Sequence, residues 1–332
     1  MKKLFISMLA VAALASCSQE DVIVADKGDL IGFNSFVENS TRATDTTYGA
    51  EDGQTPLEAF NLYGTVTGTN GTINIYNGCS VTGDVGATVW SCPVQQYWIK
   101  DAVYDFAAVV DATVAKNSYN MPTTLTTIAN ADMNFSDMLY AQKLDYTALA
   151  SGNPIVEFAF EHLLAKAMFT VTSNTEGGYY YSVKDINVNN FESGVYTIAY
   201  TDTDKDGKDD GAWVGNNKTN ISFGNVEKVT KANTDGMTCA KQKLLVPTTD
   251  SFTVSCTIEL WNDNGDAEDV KLGTENKTFT VAQDLVKGNS YNFTLALTVG
   301  QPIQFTVTEQ PDWNEDVNND DKVDANDNIK LQ

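Results

Sequence analysis

The chain has 332 residues and a formal net charge of −23, with 44 acidic side chains against 21 basic ones. So acidic a surface repels phosphate backbones, which argues against nucleic acid as a partner. The single histidine excludes a zinc site built from several histidines, and the Walker, GxGxxG, HExxH and GxSxG motifs are absent. We therefore expect no enzyme, and the length predicts two domains.

The first 17 residues have the pattern of a lipoprotein signal peptide. Two lysines precede an apolar run over residues 4–15, which is too short to span a bilayer. The run ends in LASC, which is similar to the lipobox of bacterial lipoproteins, so Cys17 is the expected lipidation site. Residues 18–21 resemble the acidic signal that sends some lipoproteins to the outer face of the outer membrane. An ordinary signal peptide followed by a chance cysteine is the alternative.

Residues 18–42 follow as a predicted propeptide that ends at Arg42, the only arginine of the chain. A protease specific for arginine therefore has one target, the bond between Arg42 and Ala43. An ordinary exposed basic residue is the alternative interpretation of Arg42. Upstream of it, residues 29–37 (DLIGFNSFV) form a predicted strand, one face of which carries three apolar side chains: Ile31, Phe33 and Val37.

The body of the chain alternates apolar residues with small polar ones, which is the period of a strand with one buried face. Segments such as SFTVSCTIELW (251–261) are rich in β-branched and aromatic residues. We predict an all-β fold of two β-sandwich domains in tandem, of a transthyretin-like, Greek-key type. The predicted domains are residues 43–175 and 176–310, followed by an acidic tail over residues 311–332. Only residues 136–152 could hold a helical turn.

Four cysteines remain after the leader: Cys79, Cys92, Cys239 and Cys256. An exported chain meets an oxidising compartment, and none of the four has CxxC spacing. Two local disulfides, one between residues 79 and 92 and one between residues 239 and 256, are the simplest pairing. The other two connectivities, and four buried free thiols, stay open.

Two acidic loops have part of the pattern of a calcium-binding loop. In residues 202–211 a glycine supplies the sharp turn, but the twelfth position holds a tryptophan instead of the bidentate acid. In residues 316–327 an aspartate replaces the glycine. Calcium is the one cofactor considered, and a hydrated turn without metal is the alternative. The candidate ligands are Asp202, Asp204, Asp206, Asp210, Asp316, Asn318, Asp320, Asp324 and Asp327.

Several segments, in their order along the chain, resemble the fimbrillins, the subunits and anchors of the type V pili of anaerobic gut and oral bacteria. The resemblance covers most of the exported chain, and the order of the segments together with the lipoprotein leader carries it. The segments are LIGFNSF (30–36) with STRAT (40–44), VQQYWIKDAVYDFAAVV (94–110), DMLYA (137–141), FEHLLAKAMF (160–169) and LVKGNSYNFTLAL (285–297), with Trp313 near the end.

The resemblance implies that a trypsin-like, arginine-specific surface protease cuts after Arg42 and so removes the first strand. A C-terminal strand of a neighbouring subunit then fills the opened groove of the N-terminal sandwich. The implied partners are this protease, other pilus subunits and, through the lipid, the outer membrane. The implied location is the fimbrium at the cell surface, where the protein serves adhesion.

The candidate donor strand is PIQFTVTEQ (302–310), although it could equally be the last strand of the second domain. The tail that follows is far too acidic to fill an apolar groove. The three apolar side chains on one face of the candidate donor strand are Ile303, Phe305 and Val307.

Two other classes of protein stay open. One is a surface lipoprotein that binds glycans, with calcium, through exposed tryptophans. The other class is a hydrolase, which would need a carboxylate pair in a cleft or catalysis through His162. His162 lies in the apolar stretch 156–171, and we interpret this residue as a structural histidine on a core strand. If they are exposed, four tryptophans are candidates for binding a glycan: Trp90, Trp98, Trp213 and Trp261.

Overall fold

The computed structural model describes most of the chain between residues 29 and 310. The ranges are 29–37, 47–48, 55–83, 90–129, 135–203, 208–233, 236–238, 242–265 and 268–310, with side chains described at all of these positions except 35–37, 47–48 and 55–56. Within them the prediction of an all-β fold is confirmed, because every regular element is a strand. No helix with the length and hydropathy of a membrane span is found among these residues.

The strands are β1 Phe33–Val37, β2 Thr47–Tyr48, β3 Thr55–Pro56, β4 Ala59–Gly68, β5 Gly71–Thr82, β6 Val103–Val110, β7 Thr113–Lys116, β8 Pro122–Thr126, β9 Leu139–Thr147, β10 Val156–His162, β11 Ala165–Ser173, β12 Tyr179–Thr197, β13 Ala212–Val229, β14 Met237–Thr238, β15 Lys243–Leu245, β16 Phe252–Asn262, β17 Val270–Val281, β18 Ser290–Leu297 and β19 Gln304–Gln310. The stretch 136–152, which could have held a helical turn, contains β9 instead.

The first sheet has the strand order β1-β10-β9-β6-β4-β5. Its neighbours are antiparallel except β1 and β10, which are parallel. β6 does not alternate apolar with polar residues, because both of its faces are buried. Phe106 and Ala108 face one core, which we call the N-terminal core, and Ala107 and Val109 face a second core. A strand buried on both faces has a continuous apolar sequence, as FAAVV (106–110) does.

Two further sheets enclose the second core, which we call the C-terminal core. The second sheet has the order β17-β16-β12-β8-β7 with β13 also on β12, and the third has the order β14-β11-β18-β19 with β15 also on β11. Val188 of β12, Phe169 of β11 and Phe293 of β18 belong to one continuous cluster of buried side chains. Two sheets that share a core in this way are consistent with the predicted β-sandwich fold.

The connections cross between the two parts of the chain. The β7–β8 hairpin, which is early in sequence, pairs with β12, and β11 pairs in parallel with β18 over eight residues. The predicted boundary at residues 175–176 and the tandem arrangement stay predictions. In the structure, β11, which lies on the N-terminal side of that boundary, is a central strand of the third sheet.

Candidate functional site

The first strand, β1, is held on both sides. On one side it pairs in parallel with β10 over five residues. On the other side it lies antiparallel to residues 90–98, which we call the wall segment: the Trp90 N–H donates to the Phe33 carbonyl at 2.9 Å, and the Ile31 N–H donates to the Gln96 carbonyl at 2.9 Å. The segment 29–37 is therefore paired to the wall segment over residues 29–33 and to β10 over residues 32–37, and the two sets of partners overlap at the start of β1.

The wall segment closes the first sheet into a ring. Ser91 and Thr82, at the end of β5, exchange two backbone hydrogen bonds of 2.7 and 2.9 Å. Because β1 and β5 are the outermost strands of the first sheet, the wall segment joins its two ends. Removal of β1 would open the ring between the wall segment and β10 and leave a slot one strand wide.

Phe33 lies at the centre of this site. Its ring is fully buried, packs edge-on against Tyr76 and Phe106 with centroid distances of 5.6 and 6.0 Å, and stacks on Phe158 at 6.1 Å. Ile31, two residues earlier on the same face, is 4% exposed. Aromatic pairs of this geometry add about 0.5–1.5 kcal/mol each beyond their burial. The slot is thus shaped around two large apolar side chains.

Two buried phenols, Tyr76 and Tyr104, lie beside the slot. Burial raises the pKa of Tyr76 far above its ordinary value, and burial also raises the pKa of Tyr104. At the outer end of β1 the Asp29 carboxylate accepts a hydrogen bond of 2.6 Å from the Gly152 N–H. A strand that takes the place of β1 must therefore bring apolar side chains to the slot and keep its charges at the ends.

The candidate donor strand forms β19. Within the described residues it pairs with β18 alone and lies at the edge of the third sheet. The Phe305 ring stacks on Phe279 at 4.4 Å and on Phe293 at 6.4 Å, and Ile303 and Val307 also pack against the C-terminal core. In the single chain this segment is thus the last strand of the third sheet, which is one of the two alternatives. Its use as a donor stays a prediction.

The C-terminal end of β19 is fixed by Glu309. Its carboxylate accepts hydrogen bonds from Gln283 Nε2 at 2.6 Å, from Asn289 Nδ2 at 2.6 Å and from the Tyr291 hydroxyl at 2.9 Å. Burial alone would raise the pKa of Glu309, but these donors favour the charged form and hold its pKa below the ordinary value. We call these four residues the Glu309 latch.

Two of the four cysteines lie side by side. The Sγ atoms of Cys79, on β5, and Cys92, on the wall segment, are 3.2 Å apart, and both residues are half-buried free thiols. Cys256 is a buried free thiol on β16, and Cys239 lies outside the described residues. The disulfide pairing stays a prediction.

His162 is fully enclosed. Its Nδ1 lies 3.0 and 3.1 Å from the two carboxylate oxygens of Asp137, and both side chains are buried. This surrounding fits a structural histidine at the end of β10. Over the part of the chain that the structure describes, no group of three or more His, Cys, Asp and Glu side chains could hold a metal ion.

A buried polar cluster that the sequence did not predict joins β10 to the C-terminal core. Lys287 Nζ donates to Glu161 Oε2 at 2.8 Å and to the Asp209 carbonyl at 2.6 Å. The Asp209 carboxylate accepts from the Tyr196 hydroxyl at 3.0 Å and from the Tyr200 N–H at 2.7 Å. Burial raises the pKa of Glu161 against the opposing effect of Lys287. These residues are far apart in sequence, so no local pattern signals the cluster.

The first acidic loop is described only in part. Of its predicted calcium ligands, Asp202 and Asp210 are exposed, and Asp210 accepts a hydrogen bond of 2.6 Å from the Thr203 N–H. The buried carboxylate of this loop belongs to Asp209, which the calcium pattern passes over. Its oxygens accept from backbone and hydroxyl donors of the protein itself, so it acts as the centre of a turn.

Several predicted sites cannot be placed because they lie outside the described residues or side chains. They stay predictions. They are the lipidation site Cys17, the cleavage site between Arg42 and Ala43, the side chain of Val37, and the calcium ligands Asp204, Asp206, Asp316, Asn318, Asp320, Asp324 and Asp327.

The tryptophans in the described part of the chain do not line an exposed face. Trp90 and Trp98 are buried in the N-terminal core, and Trp213 and Trp261 are half-buried. The Trp213 Nε1 donates to the Leu163 carbonyl at 2.8 Å, which fixes its indole against the protein. Glycan binding through a row of exposed tryptophans therefore has no support among these four residues.

The fimbrillin-like family matches residues 41–312. A fimbrial protein from Bacteroides vulgatus is 15% identical, with 85% of this chain and 98% of that chain covered and a TM-score of 0.56. A candidate cell adhesion protein from Bacteroides ovatus is 14% identical, with 87% and 99% covered and a TM-score of 0.51. At such identities the structural likeness concerns the fold alone. No curated protein matches the chain.

Proposed function

This chain belongs to the fimbrillin-like family, and we propose that, as a structural subunit of a cell-surface pilus, it assembles by strand exchange. In this proposal the chain is exported as a lipoprotein through Cys17. An arginine-specific surface protease cuts between Arg42 and Ala43, β1 leaves its slot, and a strand from another subunit enters. The fibre serves adhesion, and the partners are the protease, other subunits and, before cleavage, the outer membrane.

One observation carries the proposal: the strand upstream of the only arginine is inserted between two partners. β1 ends at Val37, five residues before Arg42; it pairs with β10 along its length, and the wall segment pairs with residues 29–33 on the other edge. A cut at Arg42 would therefore turn an integral strand of the first sheet into a separate peptide. Few exposed cuts near a chain terminus have that consequence, because most terminal segments lie on the surface.

The energies allow such a strand to be both held and exchanged. Burial of Ile31 and Phe33 stabilises β1 by roughly 3–6 kcal/mol, at about 1.5–3 kcal/mol for each side chain. In the uncut chain the strand is also tethered, at an effective concentration on the order of millimolar. A cut removes this tether while the slot keeps its apolar shape. A strand with comparable apolar side chains can then compete.

The candidate donor matches the slot in sequence. The segment 29–37 presents Ile31 and Phe33 two residues apart on one face, and the donor segment presents Ile303 and Phe305 at the same spacing. The residue between them is Gly32 in the segment 29–37 and a glutamine in the donor. A Cβ atom at position 32 would lie 3.6 Å from Ile155, an ordinary contact distance, so the first carbon of that glutamine fits without a clash. In the proposed register, Phe305 would take the place of Phe33.

The test is limited cleavage of the precursor with an arginine-specific protease. The expected result is a new N-terminus at Ala43 and a ladder of oligomers. The matched control is Arg42→Lys, which keeps the charge but removes the cleavage site and should stay monomeric. A stable monomer after clean cutting would contradict strand exchange, and a lipidated chain that stays uncut at the cell surface would assign it to the anchor position of a pilus.

The proposed register has a test of its own. A labelled peptide of residues 302–310 should bind the cut protein and not the uncut chain, which the change in fluorescence anisotropy of the label would detect. The matched peptide with Phe305→Ala should bind about 1000-fold more weakly, since loss of a buried phenylalanine costs about 4 kcal/mol. Equal binding of the two peptides would contradict the register.

A second candidate function is the binding of glycans, which one cleft supports. It has a volume of about 310 Å³ and is lined by Asp105, Asp145, Asn117 and Tyr119 among others, with the Tyr119 side chain 48% exposed. Carboxylates and amides beside an exposed ring can bind and stack on a sugar. Binding to a glycan array that Tyr119→Ala abolishes, with or without calcium, would support this function; no binding by the wild-type chain would end it.

A further inference from the structure

The pair Cys79 and Cys92 joins the wall segment to β5. Gly78, with a φ of 73°, is the extra residue of a bulge in β5, where Leu62 pairs with Cys79 and the next pair is Tyr63 with Asn77. A left-handed φ of this kind suits glycine, and a bulge redirects the side chain that follows it. Here the following residue is Cys79, whose Sγ lies 3.2 Å from that of Cys92.

The wall segment depends on β1 for most of its backbone partners. Three hydrogen bonds join them, between Ile31 and Gln96, between Trp90 and Phe33, and between Trp98 and Asp29. Two backbone bonds to Thr82 and one bond of 3.3 Å from the Tyr104 hydroxyl to the Tyr97 carbonyl remain when β1 is gone. Among the described residues, the stretch 92–98 would then keep no backbone-to-backbone hydrogen bond to the sheet.

Its two tryptophans add a further cost. The indole N–H groups of Trp90 and Trp98 are buried and have no acceptor among the described residues. Each buried donor without a partner costs about as much as a lost hydrogen bond. Once β1 leaves, rotation of the wall into solvent would relieve this cost and collapse the slot. The ring contacts of Trp90 with Phe60 at 5.4 Å and of Trp98 with Tyr104 at 4.7 Å oppose this rotation, and a covalent bond that does not depend on β1 would add to them.

We propose that Cys79 and Cys92 form a disulfide that holds the wall segment against β5 and keeps the slot open after β1 has left. The proposal rests on the proposed function, because it assigns the bond a role only in a chain that loses β1. The strands of the first sheet are formed while both thiols are free, so the bond would not be needed to form the sheet itself.

The chemistry is the oxidation of two thiols. The thiolate of one cysteine attacks the disulfide of an oxidant such as oxidised glutathione, which forms a mixed disulfide and releases the oxidant's first sulfur as a thiol; the second cysteine then attacks the mixed disulfide and releases the other sulfur. One S–S bond breaks in the oxidant and one forms in the protein, two electrons pass to the oxidant, and the two protons end on its two thiols. Burial, and to a smaller extent the hydrogen bond with Cys79, raises the pKa of the Cys92 thiol to about 12. Few thiolates exist there once the protein is folded, so the bond should form during folding.

The first test asks whether the bond forms in the uncut chain. The protein is refolded with oxidised glutathione, alkylated, and digested with trypsin. Residues 43–100 form one tryptic peptide that holds both cysteines and no others. This peptide should be lighter by two hydrogen atoms and carry no alkyl group. Alkylation of both cysteines after oxidative refolding would overturn the proposal, whether or not the chain assembles.

The control variants separate this pair from the remaining thiols. Cys92→Ser should leave Cys79 open to alkylation, whereas Cys256→Ser, which removes a buried thiol elsewhere, should leave the oxidised peptide unchanged. A mixed pairing of Cys79 with Cys256 would show as a cross-linked peptide of higher mass. That result would also overturn the proposal.

The second test asks what the bond does. Amide hydrogen exchange of the wall segment is compared in oxidised wild type and Cys92→Ser, before and after the cut at Arg42. In the cut protein, exchange should be about tenfold to 100-fold slower with the bond, as expected for closure of a loop of this length. Equal exchange in the two cut proteins would exclude the holding role. If β1 stays in place after the cut, the proposal of strand exchange is wrong. The mass of the tryptic peptide still shows, independently, whether the disulfide has formed.

Discussion

The substitution Phe33→Ala tests whether β1 is held in its slot by one central side chain. Phe33 is fully buried and contacts three aromatic rings, Tyr76, Phe106 and Phe158, at centroid distances between 5.6 and 6.1 Å. Alanine removes the ring and leaves a cavity that these neighbours cannot fill without moving. The substitution should destabilise the precursor and loosen β1 in particular.

The magnitude follows from that surrounding. Truncation of a buried phenylalanine costs about 3–5 kcal/mol, and the three ring contacts favour roughly 4 kcal/mol within this range. A loss of 4 kcal/mol corresponds to about a 1000-fold shift between inserted and displaced β1. The matched control is Leu30→Ala, in the same segment but 49% exposed, which should change the free energy of unfolding by less than about 0.5 kcal/mol.

Two assays measure the effect. Urea unfolding of the uncut precursor gives the loss of stability, which tryptophan fluorescence reports; Trp90 and Trp98 contribute to this signal from beside β1, and the other three tryptophans contribute from elsewhere. Light scattering after cleavage at Arg42 gives the rate of assembly, which should rise in Phe33→Ala because β1 leaves faster. If Phe33→Ala and Leu30→Ala unfold at the same urea concentration, or if the Phe33 variant assembles more slowly than wild type, the account of the slot is wrong.

Three further predictions concern the rest of the chain. Glu309→Gln should weaken the Glu309 latch by about 1 kcal/mol at pH 7, allowing for its partial exposure. Because the pKa of Glu309 in the folded protein lies below the ordinary value of 4.5, the wild type should keep this extra stability above pH 4.5 and lose it as the pH falls through the folded pKa. Urea unfolding as a function of pH measures this loss. Lys287→Met leaves Glu161 buried without its cation and should cost about 3–5 kcal/mol in urea unfolding, partly recovered when Glu161→Gln is added; no recovery would place the loss in the other bonds of Lys287. Millimolar calcium should raise the thermal midpoint of the wild type but not of Asp204→Ala or Asp320→Ala, and an unchanged wild-type midpoint would exclude calcium from both acidic loops.

The local pattern of the sequence predicts the strands because alternation is a property of neighbouring residues. The segment 251–261 alternates apolar with polar residues and forms β16 with its apolar side chains inward. The prediction that Ile31 and Phe33 share a face depends on the same period of two. β6 is harder, since both of its faces are buried and its sequence FAAVV (106–110) loses the alternation.

Partner choice lies beyond such patterns because it is decided by contacts distant in sequence. Nothing in residues 29–37 indicates a parallel pairing with β10 or an antiparallel one with the wall segment. The same holds for Asp209, which is buried beside an exposed Asp210 in one acidic run. The carboxylate that turns inward is the one that meets Tyr196 and, through its backbone, Lys287. Both of these residues lie on other elements, so spacing within the loop could not single out Asp209.

The direction of the proposed exchange follows from how each strand is held. β19 has one partner within the described residues, and Phe305 is half-buried there, whereas the same side chain in the slot of β1 would be buried between two partners. The transfer adds the bonds to the wall segment, at about 0.5–1.5 kcal/mol each. It costs the stacking on Phe279 and the Glu309 latch. We therefore expect variants that weaken the latch to speed assembly after cleavage. A slower assembly of Glu309→Gln would mean that β19 is not the donor.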